Sequence, residues 1–345
     1  MARKKAEDNE TVVDEQDTSA STQKPPPPAG INVKDLVELA KGRYGKKHKG
    51  LADDLTTGDL IKMHDNDSDY VLSNEVLFWQ PLTGVKGLPY GRIVQIAGKP
   101  DSGKTTTAML FMKAAQFSGT VVILWDSENK FDMQRFLEMG GAPEFLLITK
   151  SKNIIRGIRD VIRYIKETKG QNPDIKILVV WDSVGATLNN AEDSDDDDDE
   201  DAEDDYSKQP GVTAKEVSWG IRRLNKNVEK FRKPETGEHT ISILCINQVY
   251  ANIGSVGWKE KGGEALYYMS SLILQLSRKK ELQRIQNQQK LKFGIVSRAK
   301  VRKNHLFSGR ECVAEMDLVV SADGIQLATD VKSKTDIVGW DENDE

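Results

Sequence analysis

In GKPDSGKTTTAML, residues 98–110, two glycines, a lysine and a threonine stand at the spacing G-x-x-x-x-G-K-[ST], the pattern of a loop that cradles phosphate. The apolar run IVQIA before it and the helix-compatible stretch after it supply the strand–turn–helix context that the pattern needs. In such a loop the glycines let backbone N–H groups and a helix N-terminus converge on an anion. Lys104 would neutralise the β/γ oxygens and Thr105 would ligate Mg²⁺. Gly98, Pro100, Asp101, Ser102, Gly103, Lys104, Thr105 and Thr106 are therefore the candidate contacts with a nucleoside triphosphate.

In an open parallel sheet, ligands sit beyond the carboxyl ends of the strands, so polar residues that end apolar runs are the next candidates. ILVVWDS ends in Asp182, placed to hold Mg²⁺. VVILWDSEN ends in Asp126 and Glu128, and ISILCINQ in Asn247 and Gln248. Each alone is equally a strand-end cap. With the phosphate loop they make a nucleotide hydrolase, with Glu128 as the base that polarises water, Asp126 as its competitor, and an amide that senses the γ-phosphate.

These residues need elements to carry them. IVQIA, VVILW, FLLIT, ILVVW, ISILCI and SLILQL are short apolar runs, several separated by helix-like stretches such as 105–117 and 153–168. That alternation predicts an α/β fold with a mostly parallel twisted sheet covered by helices on both faces. LKFGIVS and ECVAEMDLVVS read as an antiparallel extension at one edge. Residues 1–30, ending STQKPPPPAG, read as a disordered polar arm. The stretch 31–84 reads as an N-terminal helical or oligomerisation segment: Val33, Leu36, Val37, Leu39 and Ala40 lie near helical spacing behind Asn32. The core is expected over 85–325 and an acidic tail over 326–345. Cys245 and Cys312 match no disulfide or metal pattern and read as packing residues. No apolar run reaches membrane-spanning length, so a cytoplasmic location is expected, with no membrane partner.

GLPYGRIVQIAGKPDSGKTTTA, LWDSENKFD, VVWDSVGAT, INQVYANIG and GGEALYYMSS together resemble, in order, the segments of the RecA family of DNA recombinases, over about residues 85–320. The resemblance implies a RecA-like ATPase that uses ATP and Mg²⁺. It also implies a helical filament on single-stranded DNA, pairing with homologous duplex DNA, and dealings with single-strand-binding or mediator proteins. Such a protein would work in the nucleoid or a host cell's cytoplasm. Glu128 matches the family's catalytic glutamate, Asp132 its adenine-contacting aspartate, and Gln248 the residue that couples the γ-phosphate to the second DNA loop. That loop is expected to begin after Gln248, with Ile253 at the position inserted between base triplets.

The loop's own residues give Tyr250 and Trp258 as stacking surfaces and Lys259 and Lys261 as phosphate partners. Tyr250 and Asn252 stand where the family usually has basic residues. Lys215, Ser218 and Arg222, three and four apart, share a helix face and align with the family's DNA-facing positions, while Val217, Ile221, Leu224 and Val228 mark the core side. In SRAKVRKNHLFSG, Lys303 matches the first of two lysines that reach a neighbour's ATP, His305 stands in place of the second, and Arg302 is an alternative cation. Tyr268 matches a position at the subunit interface, with core packing as its other reading.

The run EDSDDDDDEDAEDD, residues 192–205, falls where the resemblance puts the first DNA loop, inside an acidic insertion spanning 190–210. It hides a basic body: without its twelve carboxylates the chain has 54 − 12 = 42 acids against 49 bases, a net +7 rather than −5. The run is read either as a polyanion that occupies the DNA groove against Lys215, Arg222 and Lys261, or as a solvated insertion. A ring helicase on the same ATPase core and a recombinase-like accessory protein without productive exchange are the competing functions.

Overall fold

The computed structural model describes residues 66–189, 211–233, 236–251, 258–286, 289–306, 312–322, 324–329 and 337–338. The arm, the helix expected after Asn32, the acidic run and Ile253 lie outside the described residues, as does the acidic tail apart from 326–329 and 337–338.

The apolar runs form the strands they predict. The central path of the larger sheet contains β3 (Ile93–Gly98), β4 (Val121–Asp126), β5 (Leu146–Thr149), β6 (Ile177–Asp182), β7 (Ile241–Ala251) and β9 (Leu272–Gln286), all parallel, in the order β9-β3-β7-β6-β4-β5. Beyond β9 the direction reverses: β10 (Gln289–Asn304), β11 (Glu315–Ser321) and β12 (Gly324–Leu327) pair antiparallel in turn. This is the antiparallel edge extension on a parallel, helix-covered sheet. A separate two-stranded ladder joins β1 (Tyr70–Leu72) to β2 (Gly87–Pro89).

Both faces of the parallel strands are buried, and alternate residues serve alternate cores. On β6, Leu178 and Val180 join Ala108, Phe111 and Ala115 of helix α2 (Lys104–Phe117). Ile177, Val179 and Trp181 face the other way, onto α4 (Ile154–Gln171) and α5 (Val212–Lys230). Residues 66–84, including α1 (Trp79–Thr83), belong to the first of these cores: Val71, Phe78, Trp79 and Leu82 are fully buried in it beside Leu88 and Tyr90. Cys245 is buried in the second core, as expected of a packing residue. Cys312 is exposed and packs in neither, because it lies between strands rather than within one.

The second core holds two tryptophans in contact. Trp125 and Trp181 stack with centroids 4.2 Å apart and planes 13° from parallel. Register places them side by side on β4 and β6. Gly157 lets α4 approach, since a Cβ there would lie 2.0 Å from Trp125 Cζ2. Gly170, in the same helix, has nothing within 4 Å of the same point. Gly157→Ala should therefore destabilise by about 1–3 kcal/mol through overpacking, whereas Gly170→Ala should stabilise by roughly 0.5–1 kcal/mol. Denaturant unfolding of both variants checks this, and equal effects would contradict the packing argument.

Candidate nucleotide site and nucleic-acid interface

The loop from Gly98 to Gly103 turns β3 into α2 under tight constraint. A Cβ on Gly98 would sit 2.4 Å from the Leu276 carbonyl oxygen, and Gly103 caps α2 with φ 92°, a conformation open to glycine. Ser102 Oγ donates to the Lys99 carbonyl at 2.8 Å, and Ser297 Oγ, from β10, donates to the Ser102 carbonyl at 2.8 Å. The edge extension thus braces the loop from behind. Lys104 is buried, with Nζ donating to the Lys99 carbonyl at 2.6 Å. Burial lowers its pKa, opposed by Asp182, Glu128 and Asp101.

The ends of β3, β7, β6 and β4 gather at this loop, Gln248 two residues beyond the level of Asp182. Gly98 lies beside Gln248 and Asp182 beside Asp126 in the ladders. The cleft they enclose holds about 280 Å³ and is lined by Lys104, Thr105, Glu128, Asp182, Ser183 and Gln248 among others. Thr105 Oγ1 donates to Asp182 Oδ2 at 2.8 Å. Burial pushes the Asp182 carboxyl up to about 6, against the Thr105 hydrogen bond. A hydroxyl beside a desolvated carboxylate that lacks a full counter-charge fits Mg²⁺, which takes few protein ligands and completes its shell with water and phosphate. Among the described residues no cluster of three carboxylate, histidine or cysteine ligands offers an alternative metal cage.

Glu128 accepts from Ser183 Oγ at 2.7 Å and Gln248 Nε2 at 2.8 Å through Oε1, and from Lys130 Nζ at 3.0 Å through Oε2. Burial alone would raise its pKa; the three hydrogen bonds outweigh it and hold the carboxyl below the ordinary glutamate value. It is ionised at neutral pH, as a base must be. Asp126 is spent differently: it is buried, and its two oxygens accept from the Lys130 and Phe131 amides at 3.1 and 3.0 Å. That turn aims Glu128 into the cleft and leaves Asp126 a structural anchor.

A second cavity, of about 700 Å³, lies on the other side of the loop, lined by Asp101–Thr106 together with Arg135, Lys292, Phe293 and Val320. Asp132 is exposed and caps α3 (Met133–Glu138) by accepting from the Arg135 amide at 2.9 Å. Arg135, which sequence reasoning missed, reaches this cavity: its Nη2 donates to Thr106 Oγ1 at 3.0 Å and to the Ser321 carbonyl at 2.9 Å. Its place one turn after the capping aspartate was the available signal. Ser183 was missed also, because a serine following a strand carries no pattern of its own.

The second DNA loop needs correction. The chain does not leave the sheet at Gln248: β7 runs on to Ala251 and pairs antiparallel with β8 (Trp258–Glu260), Val249 opposite Glu260. β-Propensity in NQVYA carries the strand past the polar pair. The base of this hairpin is tied inward by Asn247 Nδ2 to the Lys261 carbonyl at 2.9 Å, and by Gln95 Nε2 to Glu260 Oε2 at 2.6 Å. Tyr250 and Lys261 are exposed there, whereas the side chains of Trp258 and Lys259 lie outside the described residues. Lys215 and Arg222 are exposed on α5 and Ser218 half-buried, opposite the buried Val217, Ile221, Leu224 and Val228.

Tyr268, Lys303 and His305 line neither cavity beside the phosphate loop. Tyr268 is 67% exposed, which removes the core-packing reading. Lys303 Nζ donates to the Tyr267 and Tyr268 carbonyls at 2.7 and 3.0 Å, at the end of α6 (Glu264–Met269). His305 is exposed, its amide donating to the Ser271 carbonyl at 2.8 Å.

Residues 51–326 match the family model described as the RecA N-terminal domain. The chain belongs to the RecA family. Protein RecA of Nautilia profundicola is 28% identical to it over 253 residues, covering 72% of this chain and 64% of that protein. The corresponding values are 26% over 254 residues, 72% and 66%, for Protein RecA of Helicobacter hepaticus, and 26% over 257 residues, 73% and 64%, for that of Trichodesmium erythraeum. The chain thus spans slightly less than two thirds of the length of these relatives. The family match begins at residue 51, ahead of the core boundary expected at 85. No helix among the described residues is long and apolar enough to cross a membrane.

Glu128→Gln keeps the shape and hydrogen-bonding reach of the side chain and removes its basicity. Nucleotide turnover should fall by about 10²- to 10⁴-fold while binding of a fluorescent ATP analogue persists. Steady-state hydrolysis checks this; turnover within a few-fold of the parent would assign the base elsewhere.

Proposed function

We propose that this RecA-family chain is a DNA-dependent ATPase that assembles as a filament on single-stranded DNA and exchanges strands with a homologous duplex. The observation that carries the reading is the hydrogen bond from Gln248 to Glu128. It joins the residue best placed to activate water to the strand that continues, from the very next residue, into the hairpin bearing Tyr250 and Lys261. Movement of that hairpin on DNA would shift Gln248, and with it the orientation of Glu128.

In this reading the phosphates of ATP occupy the loop, with Lys104 and the amides of the α2 N-terminus facing the β and γ groups. Bound Mg²⁺ would supply charge neutralisation between those groups, with Thr105 and Asp182 holding it. Glu128 orients the attacking water and takes its proton, and Ser183 and Gln248 hold the carboxylate in place. The nucleoside extends into the second cavity toward Thr106 and Arg135, with Asp132 at the head of the adjoining helix. Tyr268 and His305, exposed away from this site, fit contacts with a neighbouring subunit.

Lys303 supports a second reading. Its ammonium caps a helix of its own subunit, so a role in a neighbour's site requires it to leave those carbonyls. An accessory protein that binds DNA without productive exchange follows if it does not, and a strand-exchange assay with homologous duplex separates the two.

Hydrolysis with no DNA, with single strand and with duplex tests the coupling. Single strand should stimulate the parent chain, and Gln248→Ala should bring the ratio of stimulated to unstimulated rate toward one. Unchanged stimulation in that variant would sink the proposed route.

A further inference from the structure

The face of α5 turned away from the core carries more than the three residues expected of it. Lys215, Trp219, Arg222, Lys226 and Lys230 recur three and four apart, so they form one stripe along the helix. Trp219 is the second of these five, between Lys215 and Arg222. The indole is 37% exposed, although tryptophan is among the side chains most favoured for burial. Arg223 brings its guanidinium carbon to 5.3 Å from the ring centroid. All five cations are exposed, against two carboxylates on the helix, Glu216 and Glu229.

The hairpin packs against the same helix from its core side. A Cβ on Gly263 would lie 2.7 Å from Ala214 Cβ, and one on Gly262 3.4 Å from Val217 Cγ1, so the chain leaving β8 packs on the first turns of α5. Lys261 is exposed on that same chain. Cations surrounding an exposed ring are suited to an unpaired strand, whose phosphates meet the cations while a base meets the ring. Duplex offers the phosphates without the base face. An acidic peptide would use the charges and leave the indole no planar partner.

We infer that Trp219 is a base-stacking platform for single-stranded nucleic acid, flanked by Lys215, Arg222, Arg223, Lys226 and Lys230 as backbone contacts. This rests on the proposed DNA-binding function and adds Trp219, Arg223, Lys226 and Lys230 to a helix face that the sequence assigned only through Lys215, Ser218 and Arg222. The strand would run along α5 from the hairpin side toward Lys230, one base lying on the indole. Arg223, already against the ring, restricts the indole's freedom before the strand arrives.

The test uses the full chain with Mg²⁺ and a non-hydrolysable ATP analogue, reading anisotropy of labelled oligothymidylate, its abasic counterpart and duplex over a salt series. Thermal unfolding of each variant verifies folding, and Trp219→Phe provides a conservative second substitution. Trp219→Ala should weaken oligothymidylate binding about tenfold, the loss of one stacked base, with the slope against salt unchanged. Trp219→Phe should recover most of that loss. On the abasic strand the parent and Trp219→Ala should bind alike. Lys226→Ala should instead reduce the salt slope by about 0.7, one phosphate contact on a single strand.

Equal binding of oligothymidylate by the parent and Trp219→Ala overturns the inference and leaves the DNA-binding reading standing. So does an equal loss on the abasic strand. An equal loss against a polyaspartate peptide reassigns the face to acidic peptides and overturns it too. If the parent binds no single strand at all, the proposed function itself fails.

Discussion

The register of four parallel strands is the constraint on which the rest of this molecule depends. Gly98 lies beside Gln248, Asp182 beside Ile246 and Asp126 beside Asp182, so the loop after β3 and Gln248 share one height on the sheet, with Asp126 and Asp182 two residues lower. Side chains alternate faces along a strand, so a slip of one residue would turn Asp182 into the core and Trp181 toward the cleft. Both buried clusters oppose such a slip. Leu178 and Val180 fill one, and Ile177, Val179 and Trp181 fill the other. The apolar packing on the two faces therefore secures polar geometry at the strand ends.

The polar groups of the cleft are held in a state that water would not permit. Lys104 and Asp182 are both desolvated, each disfavoured as an ion by burial and each partly relieved by the other. In the proposed function, a nucleotide with its cation would supply opposite charge to both. Glu128 differs because three donors converge on it, and it stays charged without help. Asp126, only two residues earlier, has its oxygens consumed by backbone amides. Nearly identical neighbours acquire separate roles from what hydrogen-bonds to them.

The same strand that carries Gln248 also carries the hairpin, and the hairpin is tied at its base rather than loose. Gln95, fully buried on β3, donates to Glu260, and Asn247 reaches the Lys261 carbonyl. The loop after β3 and the β7–β8 hairpin are thus attached to adjacent strands, β3 and β7. A displacement at either end has a short path of packed and hydrogen-bonded groups to the other, a geometric statement that becomes allosteric when the coupling is measured.

Sequence alone determined the parallel sheet and its antiparallel edge, and it singled out the 98–105 loop, Glu128, Asp182 and Gln248, which the structure brings to one cleft. The reason is that these are local signals: spacing within eight residues, apolar runs of strand length, and polar residues at their ends. It also separated the buried from the exposed side of α5 by periodicity. Tertiary structure decided what depends on residues far apart in the chain. Pairing with β8 extended β7 through Ala251, Ser183 and Gln248 met at Glu128 across more than fifty and a hundred positions respectively, and Arg135 reached Thr106 and Ser321. Residues 66–84 joined the main core although their sequence reads as a separate segment. Trp219 shows the same limit at a single residue: its spacing from Lys215 and Arg222 puts it on the outer side of α5, but only the structure shows the indole 37% exposed with Arg223 against its ring.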